Sequence, residues 1–394
     1  MSLSDPGLAL VLDRARLGEL VGREVRATHL RPKLGVSTVA ALTDPAGVPW
    51  GWVRTLTGRA AVKADKARRC AAEIGRPDQL CEAVLDGRDT LVQWGPIITD
   101  PRLVRACSAV DPAPGDLLRY NPLRRLVARD GDRVVRVTAD RHRTRLVRLA
   151  ADLSDAGVPV VRSSDADGPG HQSPRISWWP WIAGTDASTV VGRPEGDDAL
   201  REVGRVLGAL HTVDPSVVRD LPARGWDGML ASARACVELL EAVDQGAAGS
   251  VRRVLDQLAS HAPAGGPSVV CHGDLSLDQL LVRAGSGEVL LTDLDRTTMA
   301  PVVLDHASLI AVDLLEGHGS LGPVSQGYVE VTGHRLHAPG PWVAAAILAR
   351  VAEPWRHQQP GWRGETVRRA MLARRALVQD DLWGEQTLTL EVVG

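Results

Sequence analysis

Phenylalanine is absent from this chain, and several other residue types are nearly absent. The 394 residues include two tyrosines, one asparagine (Asn121) and three lysines (Lys33, Lys63 and Lys66), although Lys and Arg together number 46. Amino acids with AT-rich codons are therefore almost absent, which indicates a genome of high GC content. A motif that requires Phe, Asn or Lys after residue 121 must consequently appear in substituted form.

Other absences exclude whole classes of protein. The net charge is -2, so no global basic field would attract nucleic acid or an anionic membrane. No apolar run approaches the roughly 20 residues of a membrane-spanning helix, and the N-terminus does not have the pattern of a signal peptide. The five cysteines are scattered and without CxxC spacing, which favours reduced thiols. We therefore expect a cytoplasmic protein with no nucleic-acid or membrane partner.

The length and the order of elements predict three segments. Residues 1–110 contain several strand-like runs and two helical ones, and predict an accessory α/β domain, here called the N-terminal segment. The stretch 111–115, which contains Pro and Gly, is the predicted linker. Residues 116–185 predict a small β-rich lobe, and residues 186–394 predict a helical lobe. This order favours a two-lobed α+β catalytic unit.

The apolar spacing also predicts individual elements. Residues 141–156 carry one apolar stripe and predict a helix. The apolar run 158–161 predicts the start of a strand. Residues 228–262 predict two helices that are separated around Gly246 and Gly249. Further helices are predicted near residues 303–316, 341–353 and 363–382.

The most informative feature is a pair of acidic clusters flanked by apolar runs. Asp274 ends the tripeptide HGD, Gln279 follows five residues later, and Asp293 opens the tripeptide DLD. One acid would accept a hydrogen bond from a reacting hydroxyl, and Gln279 with Asp293 would offer oxygen ligands to magnesium. The alternative interpretation is that Asp274 is an acidic residue of a turn, that Gln279 caps a helix and that Asp293 is an acidic residue of a hairpin. Because the three occur together, the combination favours phosphoryl transfer.

Two further features are consistent with nucleotide binding. Arg136 lies on the second strand of a predicted hairpin, where a cation could face nucleotide phosphates; an exposed arginine on a half-buried strand is the alternative. The aromatic run 178–182 includes Trp179 and Trp181 and could line an adenine slot, although core aromatics account for the same residues. The predicted cofactor-binding residues are Arg136, Trp179 and Trp181.

Several motifs of other enzyme classes are missing. The sequence contains no GxxxxGK[ST] phosphate loop, no GxGxxG after a strand and no GxSxG elbow. The DFG and APE signatures are also missing, which argues against phosphorylation of a protein side chain.

The run CHGDLSLDQLLV, followed by VLLTDLDR and PVVLDHA, resembles the aminoglycoside phosphotransferase-like kinases, which include choline, homoserine and maltose kinases. The resemblance covers about residues 116–310. It implies a protein-kinase-like fold that uses ATP and Mg²⁺, with Asp274 as the catalytic aspartate and Gln279 and Asp293 as metal ligands. The glutamine and the extra N-terminal segment are similar to maltokinases, but Ser276 departs from their motif.

The chain also departs from the family pattern. Arg136 stands at the position of the phosphate-binding lysine, Gln279 at that of asparagine and Leu294 at that of phenylalanine. All three changes fall on residue types that this chain avoids, so composition explains them. The acidic partner expected on the helix at 141–156 is not evident, and composition does not explain its absence because Asp and Glu are common here.

Together these observations predict a two-lobed kinase-like fold with an additional N-terminal α/β domain. The expected activity is phosphorylation, dependent on ATP and Mg²⁺, of a hydroxyl on a small polar molecule such as a sugar, an amino sugar or an aminoglycoside-like compound. The alternative, motivated by the missing acid, is a pseudokinase or binding module that keeps the fold without phosphoryl transfer.

Overall fold

Strands dominate the first part of the chain and helices the second in the computed structural model. The residues that it describes are 5–85, 89–110, 114–141, 143–164, 173–193, 196–261, 263 and 266–378. Contacts divide the chain into two units. The first lies within Met1–Val147, Ser163–Trp181 and Glu353–Trp362, and the second within Arg148–Arg162, Ile182–Ala352 and Arg363–Gly394. The division predicted at 1–110, 116–185 and 186–394 stays a prediction.

The N-terminal segment forms an antiparallel five-stranded sheet with the order β1-β2-β3-β5-β4. Its strands are β1 Arg26–Lys33, β2 Ser37–Thr43, β3 Pro49–Thr57, β4 Cys81–Val84 and β5 Thr90–Pro96. Its helices are α1 Pro6–Leu12, α2 Arg14–Val21, α3 Lys63–Glu73 and α4 Val104–Val110. The sequence did not predict α1 and α2, because helices of 7 and 8 residues are too short for an apolar period to stand out.

A second antiparallel sheet follows in the first unit. Its strands pair in chain order and are β6 Leu117–Asn121, β7 Arg125–Asp130, β8 Arg133–Thr138 and β9 Ile176–Pro180. The predicted hairpin whose second strand carries Arg136 is confirmed, since β7 pairs with β8 and Asp130 lies opposite Arg133. The buried face of this sheet shares one hydrophobic core with the N-terminal segment, where Trp52 packs in the same cluster as Trp178. Residues 111–113 of the predicted linker lie outside the described residues.

The helix predicted at 141–156 is present as α5, Arg143–Asp155. The strand predicted at 158–161 is wrong. Only one parallel bridge, between Val160 and Leu291, forms there. Pro159 has no N–H to donate to a ladder, and its carbonyl accepts the N–H of Leu291 instead.

The second unit is mainly helical with two small antiparallel sheets. Its main helices are α6 Gly196–His211, α7 Trp226–Val243, α8 Gln245–Ala259, α9 Val303–Glu316, α10 Leu321–Thr332, α11 Gly340–Leu348 and α13 Trp362–Val378. Its strands are β10 Gly184–Asp186, β11 Ser268–Cys271, β12 Leu280–Arg283, β13 Val289–Leu291 and β14 Thr298–Pro301. Strand β12 lies between β10 and β13, and β11 pairs with β14.

The two helices predicted within residues 228–262 are present as α7 and α8, but the break was predicted at the wrong position. Both glycines lie inside α8, and the break falls at Asp244. The Asp244 side chain accepts the backbone N–H of Ala247 at 2.9 Å and so caps α8. A capping aspartate starts a new helix more strongly than a glycine interrupts one.

A late part of the chain belongs to the first unit. The short helix α12, Glu353–Arg356, contacts β1, and the ring of His357 packs against that of His29 with centroids 4.8 Å apart. None of the described helices combines the length and the hydrophobicity that a membrane-spanning segment needs.

Candidate active site

The HGD tripeptide forms a tight loop directly after strand β11. His272 is fully buried, and its Nε2 lies 2.9 Å from the carbonyl oxygen of Thr292. Gly273 has a φ of +83°, and a Cβ there would lie 2.2 Å from the carbonyl oxygen of Arg296. Only glycine therefore fits this position. Asp274 comes next, with its side chain 38% exposed. The loop thus buries two residues and presents one carboxylate.

A buried carboxylate on α9 holds the backbone of this loop. Asp305 accepts the N–H of His272 at 2.6 Å and the N–H of Gly273 at 2.8 Å. His211, at the end of α6, places its Nε2 at 3.2 Å from the same carboxylate. Burial raises the pKa of Asp305, but hydrogen bonds and charge from His211 outweigh it and hold that pKa below its ordinary value. Asp305 therefore stays ionised and fixes the loop.

The thiol of Cys271 lies beside His211 and Asp305, and the three ligand atoms are within 4.8 Å of one another. Burial raises the pKa of Cys271 well above its ordinary value, so the thiol stays protonated. A protonated thiol is a poor metal ligand, and Asp305 already accepts two backbone N–H groups. Hydrogen bonding within the loop accounts for this group of residues.

Arginines surround Asp274. Arg350 donates from Nη2 to Oδ1 of Asp274 at 3.0 Å, and Nε of Arg296 lies 3.4 Å from Oδ2. Arg224 donates to the carbonyl oxygen of Gly273 at 3.0 Å. Burial and the nearby charge of Arg296 lower the pKa of Arg224. Sequence reasoning missed these three residues, because arginine is so common here that no pattern distinguishes them.

The predicted metal ligands lie at the ends of the β12–β13 hairpin. Gln279 ends a short 3₁₀ helix just before β12, and its carbonyl oxygen accepts the N–H of Thr292 at 2.9 Å. Asp293 follows Thr292 and adopts a left-handed backbone conformation with a φ of +54°. The turn of the hairpin therefore brings the backbone of Gln279 to the residue before Asp293.

The side chains of Gln279 and Asp293 fit a divalent cation. Oε1 of Gln279 is buried and has no hydrogen-bond partner in the described part of the chain. A buried amide oxygen without a partner is unfavourable unless a ligand satisfies it. Asp293 adds a carboxylate, and amide and carboxylate oxygens are the ligands that Mg²⁺ prefers. The assignment of Gln279 and Asp293 as metal ligands stays a prediction.

The predicted nucleotide-binding residues lie on β8, on β9 and just beyond β9. Arg136 pairs with Ser177, and Trp179 pairs with Val134, which places Arg136 and Trp179 on one face of the sheet. Nε1 of Trp179 donates to Oγ of Ser177 at 2.9 Å.

Trp181 follows β9, and the guanidinium of Arg129 lies 4.3 Å from the centre of its ring. Trp178, in contrast, is a core residue with 1% exposure. Arg136 and Trp179 therefore lie on the same face of the sheet, and Trp181 lies just beyond the end of β9. The buried Trp178 belongs to the core and does not line an adenine slot.

Comparison with known proteins identifies the family to which this chain belongs. The model of the phosphotransferase enzyme family matches residues 117–337, more than half of the chain. No curated protein matches. Solved structures that align with the chain include a spectinomycin phosphotransferase in complex with ADP and spectinomycin, at 13% identity, covering 67% of this chain and 92% of that chain with a TM-score of 0.48.

Two other aligned structures are a choline/ethanolamine kinase family protein and a macrolide phosphotransferase. The first, from Mesorhizobium loti, is 18% identical and covers 70% of this chain and 95% of that chain, with a TM-score of 0.46. The second, a type I macrolide 2'-phosphotransferase, is 15% identical and covers 80% of this chain and 99% of that chain, with a TM-score of 0.43.

The family match spans most of the site features described above. Residues 117–337 include the four-stranded sheet, the HGD loop, Gln279, Asp293 and the anchoring Asp305. The resemblance seen in the sequence and the kinase-like fold class are therefore confirmed. The chain is a small-molecule kinase and belongs to the phosphotransferase enzyme family.

Proposed function

We propose that the protein transfers the γ-phosphoryl group of ATP, with Mg²⁺, to a hydroxyl of a small polar molecule. The observation that carries the proposal is the HGD loop: Asp305 fixes its backbone from within the core, while the Asp274 carboxylate stays 38% exposed. A rigid loop that presents a single carboxylate suits the alignment of a reacting hydroxyl.

In the proposed reaction, the acceptor hydroxyl donates a hydrogen bond to the carboxylate of Asp274. The hydroxyl oxygen forms a bond to the γ-phosphorus while the bond to the bridging oxygen of ADP breaks. ADP leaves and the hydroxyl proton passes to Asp274, so no covalent enzyme intermediate is formed.

Gln279 and Asp293 would hold the metal, and Arg136 would face the nucleotide phosphates. A bound magnesium ion would neutralise charge that develops on those phosphates. Oε1 of Gln279, which is buried without a partner, supports the first of these assignments. Arginine and lysine are not equivalent at a phosphate site, because guanidinium is planar and bidentate. The role of Arg136 therefore needs a direct test.

The alternative function is nucleotide or ligand binding without transfer. One observation favours it: Asp274 already lies within 3.4 Å of guanidinium groups at both carboxylate oxygens. A carboxylate held by two cations is a weaker acceptor for a substrate hydroxyl. Turnover and binding must therefore be measured separately.

The test is a coupled assay of ADP release across sugars, amino sugars, aminoglycosides, choline and homoserine. We expect turnover with one of these classes, loss of turnover in Asp274→Asn, and a magnesium-dependent thermal shift by ATP in both proteins. A shift without turnover on any acceptor would support the binding module. An Asp274→Asn variant that keeps full turnover would contradict the assigned role of Asp274.

A further inference from the structure

A cavity of about 230 Å³ lies in the first unit, lined by α3, by α4 and the chain leading into it, and by the residue before β9. Five of its lining side chains are cationic and one is acidic. These residues are Lys66, Arg69, Glu73, Arg102, Arg105 and Arg175. None of them belongs to the residues predicted for phosphoryl transfer.

The carboxylates near this cavity leave part of its positive charge uncompensated. Glu73 pairs with Arg105 at 2.9 Å, and Asp140 pairs with Arg102 at 2.7 Å. Among the described residues, Lys66, Arg69 and Arg175 form no ion pair. In the described part of the chain, these three cationic groups therefore share one concave surface without a carboxylate partner.

Such an arrangement favours the binding of an anion. Like charges that line a cleft repel one another, and the low-dielectric walls of the cleft focus their field. The chain as a whole has a net charge of -2, so the patch does not reflect a generally basic protein. Guanidinium groups also match the geometry of phosphate and carboxylate oxygens.

The size of the cavity limits the ligand. Pockets for drug-sized molecules are typically about 300–1,000 Å³, and this cavity of about 230 Å³ is smaller. A nucleic acid or a peptide chain would not be enclosed in it. A small anion with one or two phosphate groups fits both the volume and the charge.

We propose that this cavity binds a small phosphorylated or pyrophosphate-bearing anion. The ligand would join the N-terminal segment to the four-stranded sheet, because Nη1 of Arg175 donates to the carbonyl oxygen of Arg102 at 3.3 Å across that boundary. Arg175 directly precedes β9, the strand that carries Trp179. The inference is independent of the proposed transfer reaction.

Calorimetric titration with inorganic pyrophosphate, without magnesium, tests the proposal in the wild-type chain and in Arg136→Gln, which removes the cation proposed for the nucleotide phosphates and does not line the cavity. Arg136→Gln should bind pyrophosphate like the wild-type chain. We expect binding to the wild-type chain that weakens as ionic strength rises. Arg69→Gln and Arg175→Gln should each weaken it roughly tenfold, since each removes one charge-assisted contact.

Arg76→Gln is the matched control. Arg76 is exposed just beyond α3 and does not line the cavity. It should leave the affinity unchanged. The proposal is overturned if the wild-type chain shows no binding, if Arg136→Gln abolishes the binding, or if Arg69→Gln and Arg175→Gln behave like Arg76→Gln while all variants keep their circular dichroism spectrum.

Discussion

The two oxygens of the Asp274 carboxylate have different neighbours. Oδ1 accepts from Arg350, whose side chain is only 13% exposed and which also donates to Ser308 Oγ at 2.8 Å. Oδ2 faces Arg296, whose side chain is 57% exposed. A solvated arginine can move away from a carboxylate at little cost, whereas Arg350 is held by several acceptors. We therefore assign Oδ2 to the acceptor hydroxyl and regard Arg350 as a positioning residue.

Arg350→Gln should lower kcat about 10- to 100-fold, because a small misplacement of the carboxylate disturbs the alignment of the hydroxyl. The affinity for ATP should not change. Turnover with an identified acceptor, or slow ATP hydrolysis without one, measures the first effect, and a thermal shift by ATP measures the second. Arg252→Gln, which removes a helix-surface pair with Glu241, is the control. Equal kcat values in the two variants would contradict the positioning role.

Gly273→Ala should lower the free energy of unfolding by about 2–5 kcal/mol, because it combines left-handed strain with a clash against a backbone carbonyl. Gly285→Ala is the matched control: its φ is +84°, and nothing lies within 4 Å of the added Cβ. It should cost only about 1–2 kcal/mol. Denaturant titration compares the two variants. Equal losses would show that the contact with the Arg296 carbonyl is relieved by local movement.

The sequence predicted those site residues that lie close together along the chain. Asp274, Gln279 and Asp293 fall within one run of twenty residues and share a recognisable spacing. Arg350 lies 76 residues from Asp274 and meets it only in the folded chain. Neither an apolar period nor a motif predicts such a contact. Arginine is also so frequent in this chain that the residue type alone does not identify Arg350 as a site residue.

At the scale of elements, the predictions succeeded where an apolar period decides the structure. Helix α9 occupies the predicted residues 303–316. Helix α10 was missed, since its sequence LGPVSQGYVEVT holds two glycines, a proline and three valines, which are poor helix formers. Packing against α6 stabilises it. A Cβ at Gly327 would lie 1.8 Å from the carbonyl oxygen of Arg201, so glycine permits the close approach.

Helix α9 also anchors the HGD loop, and this gives a prediction about the element. Asp305→Ala should lower the free energy of unfolding by about 3–5 kcal/mol, because two backbone N–H groups would be left buried without acceptors. It should also abolish turnover at a temperature where the variant is still folded. Denaturant titration and the ADP-release assay measure the two effects.

Asp313→Ala is the control for this prediction. Asp313 lies on the same helix and accepts the N–H of Ser320 at 2.7 Å, away from the HGD loop. It should cost about 1–3 kcal/mol of stability and leave kcat unchanged once folded. If Asp313→Ala and Asp305→Ala lost turnover equally, the anchoring of the loop by Asp305 would have no special role.

At the scale of the whole molecule, one late segment of the chain belongs to the first unit although its neighbours in the sequence belong to the second. This segment, Glu353–Trp362, follows α11 of the second unit and leads into α13. Its position in the sequence alone does not reveal its membership in the first unit. The ring of His357 packs beside that of His29, and burial, followed by the charge of His357, lowers the pKa of His29 to about 4.

The second unit contains a comparable histidine. His306 lies on α9, with Nδ1 at 2.8 Å from the carbonyl oxygen of His337. Burial, followed by the charge of His211, lowers the pKa of His306 to about 3. Each unit therefore contains a histidine that is neutral in the folded state.

These histidines predict how stability depends on pH. The ordinary pKa of histidine is 6.5 and the folded values are about 4 and about 3, so the unfolded chain binds more protons below pH 6.5. Stability is therefore complete above that pH and falls as the pH is lowered toward 4. For the deeply buried His306 the slope should approach about 1.4 kcal/mol per pH unit. The more exposed His29 should add less.

Denaturant titrations between pH 7 and pH 4.5 would measure this slope. His306→Gln keeps a hydrogen-bond donor but cannot be protonated in this range, so its stability should change less with pH than that of the wild-type chain. His261→Gln, at an exposed histidine, is the control and should retain the wild-type slope. A His306→Gln variant with the wild-type slope would show that carboxylates, and not this histidine, control acid stability. Between pH 7 and pH 4.5 it is the unfolded chain that takes up the proton at His306, because burial of the ring opposes its charged form in the folded state, where the ring packs in a T-shaped arrangement with Tyr328.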